Sequence, residues 1–118
     1  MFSRLDHVQL AIPRGGENRA REFYVDVLGF EELPKPEELA KRGGAWFRSG
    51  DVTLHVGVDE TFTPATKAHP ALRCVDYRAL LDRLRRSGIV AMSDPLLFNG
   101  RPHCYIADPF GNRLELIG

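Results

Sequence analysis

The sequence is short of several features that would fix a class at once. It has only two cysteines, Cys74 and Cys104, in no C-x-x-C spacing. With no secretion signal ahead of them, they read as reduced thiols packed in the core of a cytoplasmic protein, not as a disulfide framework. There is no excess charge either: sixteen basic residues balance sixteen acidic ones. That balance removes the general electrostatic argument for nucleic acid or an anionic membrane as partner. Arg78, Arg83, Arg85 and Arg86 then read as the solvated face of one helix. No apolar run approaches the length that spans a bilayer. Met1-Phe2-Ser3-Arg4 leads straight into strand-like sequence instead of a signal peptide.

What remains is the composition of one globular domain covering residues 1–118, with 43% hydrophobic and 27% charged residues. A chain of this size buries roughly two-thirds of its unfolded surface, enough for a core without staples.

The order of elements repeats. Leu5 to Pro13 alternates as a strand, and Glu17 to Leu28 follows a helical period with Ala20, Phe23, Tyr24, Val27 and Leu28 on one stripe. Gly29 stands where a left-handed cap belongs. Phe30 to Leu33 is a short strand, Pro34 to Gly44 a charged loop with a helical turn near Pro36 to Leu39, and Ala45 to Ser49 and Val52 to Val58 a hairpin about Gly50-Asp51. After a polar linker, Asp59 to Ala68, the plan recurs: strand His69 to Val75, helix Tyr77 to Ser87, then strands Ile89 to Met92, Arg101 to Ala107 and Arg113 to Ile117. The chain thus reads as α+β, two modules of about 1–58 and 69–118, each strand, helix and three strands.

Strand side chains change face at every residue. Val8, Leu10 and Ile12 form the helix-facing set of the first strand, leaving His7 and Gln9 opposite. Thr53, His55 and Gly57 oppose Leu54 and Val56; His69, Ala71 and Arg73 oppose Leu72 and Cys74. Arg101, His103 and Tyr105 share a face, as do Arg113, Glu115 and Ile117. All four histidines therefore fall in predicted strands on faces turned away from the helices. A face collecting imidazoles and a carboxylate has the donor chemistry of a metal site.

The chain resembles the vicinal oxygen chelate superfamily, which includes glyoxalase I, fosfomycin-resistance proteins, extradiol dioxygenases and bleomycin-resistance proteins. The resemblance rests on Asp6-His7-Val8, on Ala20 with Phe23-Tyr24-Val25-Asp26-Val27-Leu28-Gly29-Phe30, and on Trp46-Phe47 with Gly50. It continues with Ala68-His69-Pro70-Ala71 and, most specifically, Asp108-Pro109-Phe110-Gly111-Asn112-Arg113-Leu114-Glu115-Leu116. It implies two βαβββ modules forming a cupped mixed sheet around a divalent metal (zinc, nickel, iron or manganese). The family's ligand positions map onto His7, His55, His69 and Glu115. His55 departs from the glutamate of glyoxalase I; without it, His7, His69 and Glu115 still form a two-histidine, one-carboxylate set. Glu115 is the one carboxylate at a ligand position and so also the candidate catalytic group. Trp46, Arg48, Arg73, His103 and Tyr105 are candidate substrate contacts, the arginines for an anionic group.

The activity implied is that of a metal-dependent, glyoxalase-like lyase or isomerase acting on a small oxygenated substrate. An iron(II) ring-cleaving dioxygenase and a non-enzymatic drug-binding resistance protein are the alternatives. The resemblance also implies a homodimer, with Pro34 to Gly44 as candidate lid.

Overall fold

The computed structural model describes all of residues 1–118. It comprises two compact units, Met1–Pro64 and Ala65–Gly118, which part within the polar segment read as a linker. In the first unit, β1 (Val8–Ile12) is followed by α1 (Glu17–Arg21), which runs into a π-helical segment (Glu22–Val27). Then come β2 (Glu31–Leu33), the short α2 (Glu37–Ala40), β3 (Ala45–Ser49) and β4 (Val52–Val58). The sheet order is β1-β4-β3-β2, with β1 parallel to β4 and the other pairs antiparallel. The second unit repeats this with β5 (Ala71–Arg73), α3 (Tyr77–Arg86), β6 (Met92–Ser93), β7 (His103–Ala107) and β8 (Arg113–Ile117), in the order β5-β8-β7-β6. No helix is long and apolar enough to cross a membrane.

The first core forms where the apolar stripe of the first helix meets one face of its sheet. Leu10, Ile12, Phe47, Leu54 and Val56 are buried there with Ala20, Phe23 and Tyr24. Each large apolar side chain so buried contributes about 1.5–3 kcal/mol. Tyr24 stacks on Phe47 at 5.4 Å and meets Phe23 edge-on at 4.9 Å. Phe23 and Tyr24 are adjacent, and an α-helix separates neighbours by about 100°. The wider i→i+5 winding, seen in Leu28 N–H donating to the Phe23 carbonyl, reduces that angle and puts both rings in the core. Gly29, at φ +82°, ends the segment, as the sequence predicts.

In the second unit Leu84 of α3 is buried, as are Cys104, Ile106, Leu114 and Leu116 of the sheet. Asp76 caps α3 by accepting from Ala79 N–H at 3.0 Å, and Arg83, Arg85 and Arg86 crowd its last turn, where the helix dipole favours cations.

The Asp108–Asn112 turn explains its own motif. Buried Asp108 accepts from Phe110 N–H at 2.9 Å, Asn112 N–H at 2.8 Å and the Asn112 side-chain amide at 2.9 Å. Asn112 Oδ1 accepts from Ala65 N–H at 3.0 Å, and the Ala65 carbonyl from Arg113 N–H at 2.9 Å. These residues lock the β7–β8 turn to the start of the unit and set the register of the strand that carries Glu115.

Two strand expectations are corrected. His7 and His69 do not lie within strands: β1 begins at Val8 and β5 at Ala71. Pro70 has no N–H to give a ladder, so β5 starts after it, although its carbonyl still accepts from Glu115 N–H at 3.0 Å. Only His55 and His103 sit inside strands.

The two sheets place their chemistry at equivalent register positions. Gln9 pairs with His55 in the first and Ala71 with Glu115 in the second. His7 and His69 each stand two residues before those partners. Trp46 faces His55 across its strand pair as Tyr105 faces Glu115.

Candidate functional site

In the second unit Glu115 is the centre. It projects from β8, is 7% exposed, and has an imidazole at each oxygen: Oε1 lies 2.9 Å from His69 Nε2 and Oε2 lies 2.9 Å from His103 Nδ1. The other nitrogens are held as well. His69 Nδ1 is 2.8 Å from the Lys67 carbonyl and His103 Nε2 is 3.0 Å from the Leu96 carbonyl, with Asp94 at 3.7 Å. Since a carbonyl only accepts, His69 donates from Nδ1, and Nε2 is the nitrogen facing Glu115 Oε1, a donor when the ring carries both protons and a free lone pair where a metal ion would take the second proton's place. Tyr105 meets both imidazoles edge-on, at 5.6 Å and 5.7 Å, and the Arg113 guanidinium lies 3.9 Å over its ring.

In the first unit the equivalent residues make a stack. His55 is sandwiched between His7, 3.9 Å away and inclined by 17°, and Trp46, 4.5 Å away and inclined by 10°. Asp6 accepts from His7 Nδ1 at 2.8 Å, and that hydrogen bond holds its carboxyl below the usual range. Burial pushes the His55 pKa down, helped by His7 and by the Lys35 ammonium and opposed by Asp6. The stack lines a cleft of about 330 Å³ that also receives Gln9, Lys35 and Arg42. Gly57 is needed at its floor, because a Cβ there would stand 2.4 Å from Gln9 Nε2.

A divalent ion makes definite demands on these groups. Two ligands about 2.1 Å from one ion and roughly at right angles lie about 3.0 Å apart. The 2.9 Å between His69 Nε2 and Glu115 Oε1 matches that spacing. Each also has the outer hydrogen-bond partner that fixes a ligand: the Lys67 carbonyl for His69, and His103 for Glu115. This pair fits a metal. His7 and His55 do not fit as joint ligands: imidazole lone pairs lie in the ring plane, and nearly parallel planes 3.9 Å apart at their centroids do not converge on one ion. No three His, Cys, Asp or Glu side chains are gathered as a ready site.

The remaining candidates divide. Tyr105 adjoins the Glu115 cluster and Trp46 the first cleft. His103 was expected as a substrate contact; it is 7% exposed with both nitrogens engaged, and so braces Glu115. Arg48 spends its guanidinium on Glu31 at 2.9 Å on the sheet edge, and Arg73 is exposed on β5. Lys35 and Arg42 fall in the candidate lid, Pro34 to Gly44, but nothing in the sequence singles them out within it; they line the cleft because the β2–β3 connection folds over it. The Lys67 and Leu96 carbonyls are main-chain groups and carry no sequence signal.

The family model described as the Glyoxalase/Bleomycin resistance protein/Dioxygenase superfamily matches residues 4–116. Among solved structures, one described as a glyoxalase family protein from Bacillus anthracis is 43% identical, with a TM-score of 0.95, over 99% of this chain and 95% of that one. A glyoxalase family protein from Enterococcus faecalis is 22% identical, with a TM-score of 0.73, over 99% of this chain and 98% of that one. The fosfomycin resistance protein FosX from Listeria monocytogenes is 17% identical, with a TM-score of 0.78, over 99% of this chain and 93% of that one; these last two likenesses concern the fold. No curated protein matches the chain.

Proposed function

The chain belongs to the glyoxalase/bleomycin resistance protein/dioxygenase superfamily, and from that membership we propose that it is a divalent-metal-dependent lyase or isomerase of glyoxalase-like type. Its substrate is a small molecule with two neighbouring oxygens. His69 and Glu115 hold the ion. The observation that carries this reading is the braced pair: His69 Nε2 and Glu115 Oε1 2.9 Å apart, each ligand fixed from behind.

A bound divalent ion supplies a Lewis acid that polarises a substrate oxygen. The chain's own residues do the rest. His103 keeps one Glu115 oxygen turned toward His69. Tyr105 walls the cluster with its ring edge-on. Glu115, the one carboxylate of the cluster, is the group that accepts a proton. The reading includes a homodimer in the cytoplasm; light scattering on the purified protein tests the dimer.

The test of the function is metal content of protein purified without a chelating tag, followed by titration of stripped protein with zinc, nickel, manganese and iron(II). About one tight ion per chain is expected, lost in His69→Ala and Glu115→Ala variants that keep their circular dichroism. Full affinity retained in His69→Ala overturns the assignment.

A further inference from the structure

We propose that the cleft of the first unit is an anion-recognition site, in which Lys35 and Arg42 pair with the carboxylate or phosphonate of a small organic ligand lying against the ring edges of Trp46 and His55. The proposal rests on the preceding reading only in making that anion part of the substrate; the binding itself requires no metal.

Charge carries the first part of the argument. The chain as a whole is neutral, yet the cleft is lined by Lys35 and Arg42 and by no carboxylate. Four of the acidic residues in neighbouring segments already have partners, while Glu37, exposed on α2, is outside the lining. Asp6 accepts from His7, Glu38 pairs with Lys41, Glu17 accepts from Gly44 N–H, and Glu31 pairs with Arg48. Lys35 itself reaches only the Gly43 carbonyl, a neutral acceptor, and Arg42 forms no ion pair. Two cationic residues and no carboxylate line the cleft, with Asp6 and Glu17 close by but already accepting hydrogen bonds, and this excess of positive charge in the lining favours taking up an anion.

The rings carry the second part. His55 has His7 against one face and Trp46 against the other. It therefore meets a ligand with its edge, where its nitrogens are. The Lys35 ammonium stands 5.8 Å over the Trp46 ring. A ring N–H at the His55 edge donates a hydrogen bond to an oxyanion while the ammonium supplies the charge. Gln9, whose amide lies over Gly57, adds a neutral polar group to the same wall.

Trp46 is the only tryptophan, so its emission reports on this cleft alone. The experiment titrates metal-stripped protein with acetate, methylphosphonate and benzoate, and in parallel with acetamide and benzamide as neutral counterparts. Calorimetry of the same solutions gives a reading independent of the indole. Saturable binding of the anions is expected, with the amides at least ten-fold weaker. Lys35→Met and Arg42→Met, which keep the aliphatic stems, are each expected to weaken anion binding about ten-fold, the effect of losing one charge-assisted contact. Arg78→Met, on the exposed face of α3, is expected to leave it unchanged. Equal binding of amides and anions, insensitivity to both Met variants, or no saturable response to any anion overturns the proposal. Anion binding that fails while metal uptake holds removes this proposal alone; metal uptake that fails while anion binding holds removes the metal-enzyme reading alone.

Discussion

His103 offers the sharpest test of how the second unit prepares Glu115. Its Nδ1 lies 2.9 Å from Glu115 Oε2, and both residues are 7% exposed, so water is poorly placed to replace it. A hydrogen bond to a charged partner contributes about 1.5–3 kcal/mol. Because both partners of His103, the Leu96 carbonyl and Glu115 Oε2, only accept, the ring donates to both when it carries a proton on each nitrogen; His103→Leu leaves Oε2 buried without a donor. The carboxylate then turns to recover solvation, and Oε1 loses its fixed position 2.9 Å from His69 Nε2. Losing a partner of this kind weakens metal binding about 10–100-fold, or roughly 1.4–2.7 kcal/mol. His103→Asn keeps an amide donor near the position of Nδ1 and gives up only the Leu96 contact, so affinity within several-fold of the original is expected. His103→Gln reaches toward Leu96 instead and is expected to behave like the leucine variant. The assay is chelator competition for cobalt(II), with the visible spectrum of the loaded protein as a direct view of the ligand field. Thermal melts of the stripped proteins show whether folding is affected. An asparagine variant as weak as the leucine variant, or a leucine variant as tight as the original, refutes the bracing role.

Asp108→Ala removes three hydrogen bonds and strands the buried Asn112 amides, so a loss of about 3–5 kcal/mol is expected in denaturant melts; less than about 1 kcal/mol refutes the turn-lock account. Gly44→Ala combines φ +80° with a Cβ 2.3 Å from the Val56 carbonyl oxygen, a main-chain atom. It is expected to cost at least about 2 kcal/mol, against about 1 kcal/mol for Gly50→Ala, where φ is +57° but the space is open; equal costs refute the steric part. Burial pushes the Cys74 and Cys104 thiols above their ordinary value of 9.0, so the folded protein keeps protons that the unfolded chain releases. Their contribution to stability is present below that value and lost as pH rises past it. Near neutral pH a thiol-specific disulfide reagent is expected to reach buried Cys104 only as fast as the protein opens, whereas Cys74 is half-buried; rapid labelling of both thiols in native protein refutes this.

The fold was legible because its signals are local and repeat. Alternation in β1 and β4, the helical stripe from Ala20 to Tyr24 and the Asp108–Asn112 turn each state their structure within a few residues. The π-helical winding was not legible, since Phe23 and Tyr24 fit an α-helical stripe almost as well until both must enter one core. Strand ends were misjudged where an apolar-polar rhythm outlasted the ladder, as around Pro70. The site residues were found as types and faces, but their partners were not. Whether Arg48 serves a ligand or Glu31 depends on pairing across β2 and β3, and whether His103 meets substrate or braces Glu115 depends on the loop that brings the Leu96 carbonyl to its far nitrogen.

The duplicated register shows how one plan yields two chemistries. Both units place a histidine just ahead of the first strand, a second functional group at the same position of the last strand, and an aromatic residue across from it. The last-strand residue decides the outcome. A carboxylate at that position, Glu115, is acceptor only; it draws imidazole nitrogens to both oxygens, and the rings turn their edges inward. An imidazole at that position, His55, has no charge to attract its neighbour, and flat apolar faces are what it shares with His7 and Trp46. The first arrangement leaves an imidazole nitrogen and a carboxylate oxygen at ligand spacing. The second uses its ring faces on itself and leaves edges beside Lys35 and Arg42. On the two proposals above, glutamate at this position of β8 goes with cation binding, and histidine at the equivalent position of β4, together with Lys35 and Arg42, goes with anion binding.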